Sequence, residues 1–352
     1  MPAEWAPHRA TWIIWPSNRT DWPGKLETVR WCYVELVRQL TRGERVAIVF
    51  GTAAEERRAL GRLSKAGVNL DRVERYRFPT NRSWIRDAGP TFVARGGNKE
   101  GESEVALVQW RFNAWAKYAD WSQDNRLPTL IAAARRMRRY SARTREGRPI
   151  VLEGGSIDVD GEGAALTTEE CLLDPVVQAR NPGLGRAGTE RALHDQLGVD
   201  TVIWLGSGIA GDDTHGHVDD IARFVAPNTV VAAVESDPGD VNHAPLAENL
   251  RRLRRVQVRG RRLTVVPIPM PRPRWFGNQR LPASYLNFYV ANGQVLVPTF
   301  NDVADRVALN RLATLFSDRE VVGLHAVDLV LGLGTLHCLT LQEPAGAAAS
   351  QG

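Results

Sequence analysis

Cysteine is scarce: Cys32, Cys171 and Cys338 are the only three in 352 residues. An odd, sparse set argues against a disulfide framework and fits a reducing compartment. Long apolar runs are lacking too, and no segment supplies the roughly 20 residues a membrane-crossing helix needs. The opening MPAEWAPHRATWIIWPSN has no basic start followed by an apolar stretch, which argues against a secretory signal. These absences predict a soluble, cytoplasmic protein with no membrane partner. No Pro/Gly/Ser-rich linker interrupts the chain, so composition marks no domain boundary.

Basic residues outnumber acidic ones, 45 against 40, for a net charge of +5 and a pI near 9.4. That balance raises nucleic acid as a partner, and arginines cluster in AAARRMRRYSARTREGR (132–148) and NLRRLRRVQVRGRR (249–262). Each cluster lies on or just after a helical pattern. In the second, Leu246, Leu250, Leu253 and Val256 recur at helical spacing and put most arginines on the opposite face. No RNA-binding motif accompanies them, so the reading is solvated helix surface without a nucleic-acid partner. A homo-oligomer stays open.

Helical periodicity begins in KLETVRWCYVELVRQLTRG, where Leu26, Val29, Tyr33, Leu36, Val37 and Leu40 share a face, Cys32 borders it and Gly43 offers a stop. RVAIVF (45–50) reads as a buried strand, TAAEERRALGRLSKAG as a helix with Thr52 and Glu55 at capping-box spacing, and RVERYRF as the next strand. Comparable helices open near 125, 187, 244 and 302, beside strand-like runs such as TVIWL, RLTVVPIP and VVGLHAV. The spacing, roughly 60 to 70 residues, predicts five repeated α/β units. Five units closing round an axis bring strand ends and loops to a common centre, where a site is built. The tail AGAAASQG after Pro344 is small and polar and is expected to fray.

Three stretches are too polar for their surroundings. NRSWIRDAGPTFVA (81–94) sets Asp87 ahead of a Gly-Pro turn, either as turn chemistry or as a site carboxylate. IVLEGGSIDVDGEGAALTTEECLLDP (150–175) ends an apolar strand on Glu153, before Gly154 and Gly155. That carboxylate either caps the turn or points into a site that approaches the backbone closely; the paired glycines favour the second. In GDDTHGHVDDIARFV (211–225), an extended chain puts His215, His217, Asp219 and Ile221 on one face, with His217 and Asp219 as a compact base and carboxylate. A rival reading takes His215, His217 and Asp219 as zinc ligands, because THGHVDD approaches the His-x-His-x-Asp-His run of metallo-β-lactamase-like hydrolases. Asp220 stands where the third histidine belongs, so no metal is expected.

The thiol lies in GLGTLHCLTLQEP (332–344). As a strand, TLHCLTL puts Leu336, Cys338 and Thr340 on one side and His337 on the other. A base for Cys338 then comes from elsewhere, and His217 has the best context. Acidic neighbours raise a thiol's pKa, an arrangement that makes sense if the substrate is a cation. A guanidinium is planar, permanently charged and fork-shaped, and Asp87 and Asp219 suit paired charge-assisted hydrogen bonds to it. Its carbon is a poor electrophile, so holding it in plane with a thiolate above lowers the barrier by proximity. His217 would protonate departing ammonia and then take a proton from water, with Glu153 orienting it. Trp84 and Trp115 either stack on the alkyl-guanidinium or simply pack.

WIRDAGPTFV, LEGGSIDVDGEGAALTTEECLL, THGHVDDIARF, YLNFYVANGQVLVPTFND and GTLHCLTLQEP resemble successive blocks of the agmatine deiminase and bacterial-type peptidylarginine deiminase family. MPAEWAPHRATWIIWP is similar to its start, and the resemblance runs from residue 1 to about Pro344. It implies a pentein, an α/β propeller of five pseudo-repeats, as one catalytic domain over 1–344 with a short flexible tail at 345–352. It implies Cys338 as the nucleophile of an amidino-cysteine intermediate, His217 as acid and base, Asp87 and Asp219 as guanidinium ligands and Glu153 as support for the histidine. It implies no metal or organic cofactor. The implied partner is a small cationic guanidino compound, converted to a ureido product with loss of ammonia: agmatine to N-carbamoylputrescine, or a related arginine derivative. Departures touch the wall of the site. The family usually reads Gly-Gly-Gly-Asn-Ile-His-Cys-Ile-Thr-Gln-Gln at the thiol, against Leu333, Thr335, Leu341 and Glu343 here, and Phe-Asn-Ala-Trp-Gly-Gly against FNAWAKY (112–118). Lys117 is a candidate for a changed contact with the substrate's tail, while Asp212 and Asp213 have no assigned role.

Overall fold

Short Val- and Ile-rich runs become strands buried on both faces: residues 46–50 of the strand Arg45–Phe50 are fully excluded from solvent. The computed structural model describes residues 1–96 and 103–346. Five sheets in it share one plan. A first strand pairs antiparallel with a second, and the second pairs in parallel with a third reached through a helix.

The first sheet orders Leu341–Pro344, His8–Ile14 and Arg45–Phe50, the second Thr91–Gly96, Ser103–Gln109 and Arg139–Ser141. The third orders Asp158–Val159, Ala164–Thr168 and Thr201–Leu205, the fourth Ala222–Ala226, Thr229–Val234 and Thr264–Pro269. The fifth orders Tyr289–Ala291, Gln294–Thr299 and Glu320–His325. The connecting helices are Leu26–Gly43, Leu127–Arg135, Gly185–Leu197, His243–Arg255 and Val303–Leu315. The five α/β units expected from helical spacing are therefore present, with one adjustment. In the first unit the equivalent helix is Leu26–Gly43, while Ala53–Lys65 leads to an added fourth strand, Val73–Arg77.

Local chemistry sets these boundaries. Thr52 accepts from the Glu55 amide, the forward half of the expected capping box, and the full reciprocal box occurs at Asp302 and Asp305. On His243–Arg255, Leu246 and Leu253 face inward while Arg251 and Arg252 pair with Glu248 outside. Arg135 departs from the solvated surface expected of its cluster. It is packed against Trp12 and Tyr76, and Glu74 and Glu343 meet its charge, which makes burial tolerable. Of the expected tail, Ala345 donates to the Pro7 carbonyl at 2.8 Å, and 347–352 lie outside the described residues. No helix among the described residues is long and apolar enough to cross a membrane.

One position recurs in every unit: the short segment just before the first strand of the sheet. In turn these segments carry Asp87, Glu153, His217 with Asp219, Asn287, and Cys338. Each repeat thus delivers polar groups to a shared place.

Candidate active site

The thiol segment is a turn, which corrects the strand expected there. Leu339 N donates to Thr335 O at 3.2 Å and Thr340 Oγ1 to Leu336 O at 2.8 Å, and the strand begins only at Leu341. Asn287 holds the turn. Its Oδ1 accepts from Thr335 Oγ1 (2.9 Å), Thr335 N (3.2 Å) and His337 N (3.1 Å), and its Nδ2 donates to Cys338 Sγ at 3.2 Å and Asp219 Oδ2 at 3.3 Å. His337 is still not free to act as the thiol's base, though not because of strand alternation. Its Nδ1 meets Asp219 Oδ2 at 2.6 Å and its Nε2 meets Glu4 Oε2 at 2.8 Å.

The stretch 211–225 is likewise not extended through its histidines. Asp212 accepts from the amides of Thr214, Gly216 and His217, His215 adopts φ +65°, and Val218–Asp220 form a 3-10 turn before the strand at Ala222. His215 is thereby carried off the predicted face, to Asp174 at 3.0 Å and Glu170 at 3.7 Å. The rival zinc set of His215, His217 and Asp219 is not assembled. Among the described residues, the trio with donor atoms within 4.8 Å of one another is Glu153, Cys171 and His217. Arg180 already occupies that Glu153 carboxylate, so the trio does not suit a cation.

His217, Asp219 and Asp87 converge on Gly155. A Cβ there would lie 2.5 Å from His217 Nδ1, 3.0 Å from Asp87 Oδ1 and 3.1 Å from Asp219 Oδ2, and one on Gly154 would lie 2.2 Å from the Arg86 carbonyl oxygen. Glycine alone fits, which is the close backbone approach read from the pair. Asp87 sits in the helical turn Ile85–Ala88, its Oδ1 accepting from Gly155 N at 3.0 Å and its Oδ2 from Trp115 Nε1 at 2.9 Å. Glu153 lies 3.8 Å from His217 Nε2 and accepts from Arg180 Nε at 3.1 Å. Thr168 caps the helix Glu169–Leu173 and so sets buried Cys171 beside His217. Arg180, Cys171, Asn287 and Glu4 were not singled out from the sequence. A lone amide among aromatics in YLNFYV was the clearest available signal.

Electrostatics follow from burial and these partners. Burial raises the Cys338 thiol well above its ordinary value, and Asp219, Asp220 and Asp87 add to the rise. Burial also raises Asp87, with His217 opposing. Burial by itself lowers His217, but Asp87, Cys171 and Glu153 outweigh it and hold the imidazole well above its usual range. Burial pushes Glu153 up, yet Arg180 and His217 bring it down to about 2. Both ring nitrogens of His217 and Asp219 Oδ1 have no hydrogen-bond partner although buried. These shifts favour a neutral thiol and a charged imidazole, and Asp219 adds a carboxylate oxygen without a donor.

A cleft of about 900 Å³, mouth included, reaches Cys338 and Asp87 past Trp84, Trp115, Leu333 and Tyr118. At its mouth Arg82 lies 4.3 Å over the Tyr118 ring and is held by Asp21 and Asp120. Lys117 and the Tyr118 hydroxyl both engage Asp213, the latter at 2.6 Å. Asp213 thus lines the cleft, whereas Asp212 builds the histidine loop. Asp21 Oδ2 is buried without a partner, and burial lifts this carboxyl to about 6.

Five like sheets around a thiol, an imidazole and carboxylates define an α/β enzyme of the pentein fold. The chain belongs to the Porphyromonas-type peptidyl-arginine deiminase family, whose model matches residues 1–344. It is 37% identical to the agmatine deiminase of Pseudomonas putida over 98% of this chain and 95% of that one. The structure of the Enterococcus faecalis agmatine deiminase superposes with a TM-score of 0.86 at 32% identity, covering 98% of this chain and 95% of that one. A cysteine-to-serine variant of the C. jejuni agmatine deiminase with substrate bound does so at 0.85 and 26% identity, covering 98% and 96%.

Proposed function

We propose that the chain deiminates agmatine to N-carbamoylputrescine, releasing ammonia, with Cys338 as nucleophile. The observation that carries this reading is the convergence of Asp87, Asp219 and His217 on Gly155 beside a buried thiol, with Asp219 Oδ1 unspent. Asp87 and Asp219 hold the guanidinium, whose charge offsets the acidic surroundings and favours loss of the Cys338 proton to solvent. The thiolate adds to the guanidinium carbon, and the tetrahedral adduct expels ammonia as His217 gives up its proton. A thiouronium on Cys338 is left. His217 then takes a proton from water, whose oxygen adds to the same carbon. Collapse of that adduct expels the sulfur, which regains a proton from the adduct's hydroxyl, and leaves the neutral ureido product. Glu153, anchored by Arg180, keeps the imidazole oriented through both steps.

The mouth supports an amine-tailed substrate. Arg82 and Lys117 both pair with carboxylates, Arg82 keeping only Nε without a partner, while Asp21 Oδ2 is buried and unpartnered. An ammonium finds an acceptor there, and a carboxylate meets no cation among the described residues lining the cleft that is not already paired with a carboxylate. The substrate named for the relatives agrees with this chemistry. Lys117, read from sequence as a candidate tail contact, is spent on Asp213 instead.

Ammonia and ureido product are to be measured with agmatine and with free arginine. The expectation is equal yields of both products from agmatine, kcat/KM for arginine lower by about 100-fold or more, and at least a thousand-fold loss of rate in Cys338→Ala. Turnover that survives in Cys338→Ala ends the thiol mechanism, and a preference for arginine overturns the tail assignment.

A further inference from the structure

Two carboxylates clamp His337, the residue next to the nucleophile. The ring is 2% exposed, with Asp219 Oδ2 2.6 Å from Nδ1 and Glu4 Oε2 2.8 Å from Nε2. Carboxylate oxygens accept, so each ring nitrogen of His337 faces an acceptor. Glu4 is itself immobilised. Its Oε1 accepts from Arg223 Nη2 (2.9 Å) and Val290 N (2.8 Å), and its Oε2 also accepts from Arg86 Nη2 (3.0 Å).

We infer that His337, fixed by Glu4, is a positioning residue for Asp219: by holding Oδ2, the oxygen 3.8 Å from Cys338 Sγ, it fixes the plane of the carboxylate beside the thiol. This rests on the deiminase reading above. The terminal torsion of an aspartate is soft, so a free carboxylate does not hold its plane. Here the plane is held. Oδ2 takes His337 Nδ1 and Asn287 Nδ2, while Oδ1 is buried with no donor. Asp87 has no such spare oxygen, because Gly155 N and Trp115 Nε1 take one each. The orientation of the Asp219 carboxylate is therefore set by a histidine that need not touch the substrate. In support, Asp219 is held below its ordinary value: burial raises it, and the His337 hydrogen bond and charge outweigh that. A turnover site gains most when its substrate-binding groups are held before the substrate arrives.

The test compares His337→Ala with His337→Asn. The Asn amide nitrogen sits where Nδ1 does and keeps a donor for Asp219 while releasing Glu4. Agmatine affinity is measured by calorimetry in a Cys338→Ala background, and kcat and KM in the parent. Loss of one hydrogen bond to a charged group predicts a 10- to 100-fold weaker affinity and lower kcat for His337→Ala. His337→Asn is expected to recover both to within about threefold to tenfold of the parent. Glu4→Gln, which leaves the ring in place, is the second variant if His337→Ala does not fold, and it should weaken affinity in the same direction. Equal impairment of the Ala and Asn variants, or unchanged affinity in Ala and in Glu4→Gln, overturns the inference. Parent turnover and agmatine binding by Cys338→Ala are the controls. Their absence defeats the deiminase reading and this inference together, whereas intact controls with unaffected variants defeat this inference alone.

Discussion

Arg180 is the residue on which the histidine's partner depends. Its guanidinium neutralises a Glu153 that is wholly buried, and both side chains are inaccessible to solvent. Removing one member of such a pair leaves an uncompensated charge, which costs about 3–5 kcal/mol. Arg180→Met is expected to lose that much in urea unfolding, and to lower activity because Glu153 no longer stays ionised beside His217. Stability unchanged within error would contradict the pairing. The sequence named Glu153 and His217 from composition and context, but not Arg180. A single arginine in QARNPG carries no local sign that it will be buried. Cys338 was legible as a site residue only through chemistry, since nothing in a thiol's own neighbours distinguishes a core position from a site.

At the scale of elements, a 3.6-residue period found the five helices, which bury one face, and continuous apolar runs found central strands such as Arg45–Phe50, which are buried on both. Periodicity failed at 335–339 and 215–220, where polar side chains override it: Asn287 winds the thiol segment into a turn and Asp212 winds the histidine loop. Cys338, His217 and Asp219, which the structure brings together, were named there from a local conformation it does not have. Two departures from the family pattern also acquire a physical meaning. Ala116 and Leu333 stand where the family has glycine, and both keep left-handed backbone, φ +54° and +69°. Ala116 closes a run of three such residues with Ala114 and Trp115. A side chain in that region costs about 1 kcal/mol or more, partly offset by the entropy glycine loses on folding. Ala116→Gly is accordingly expected to raise stability by up to about 1 kcal/mol, read from the denaturant midpoint. A clear loss would show that the Ala116 methyl does more than tolerate strain.

Across the whole molecule, the site is a meeting of five sheets that closes around the chain's first residues. Glu4 bonds to Arg86, Arg223, Val290 and His337, so a residue four positions from the start ties together segments of four units. Its carboxyl is held well below the ordinary range: burial opposes ionisation, but Arg223, His337 and Arg86 outweigh it. Glu153 behaves alike, at about 2. For a carboxylate with a depressed native pKa, the stability it confers is present above its unfolded value and is lost as pH falls through the native one. Stability should therefore fall on acidification from about 4.5 toward 2, the interval set by Glu153. Glu4→Gln should flatten that slope in urea midpoints taken across it, and an equally steep slope in the variant would contradict the role given to Glu4. The central claim is that Cys338 attacks a guanidinium held by buried carboxylates, and acid-quenched turnover with agmatine followed by mass spectrometry of the Cys338 peptide tests it most directly. The account predicts an adduct with the mass of agmatine less ammonia on Cys338; ureido product formed at full rate with no adduct at any quench time would contradict it.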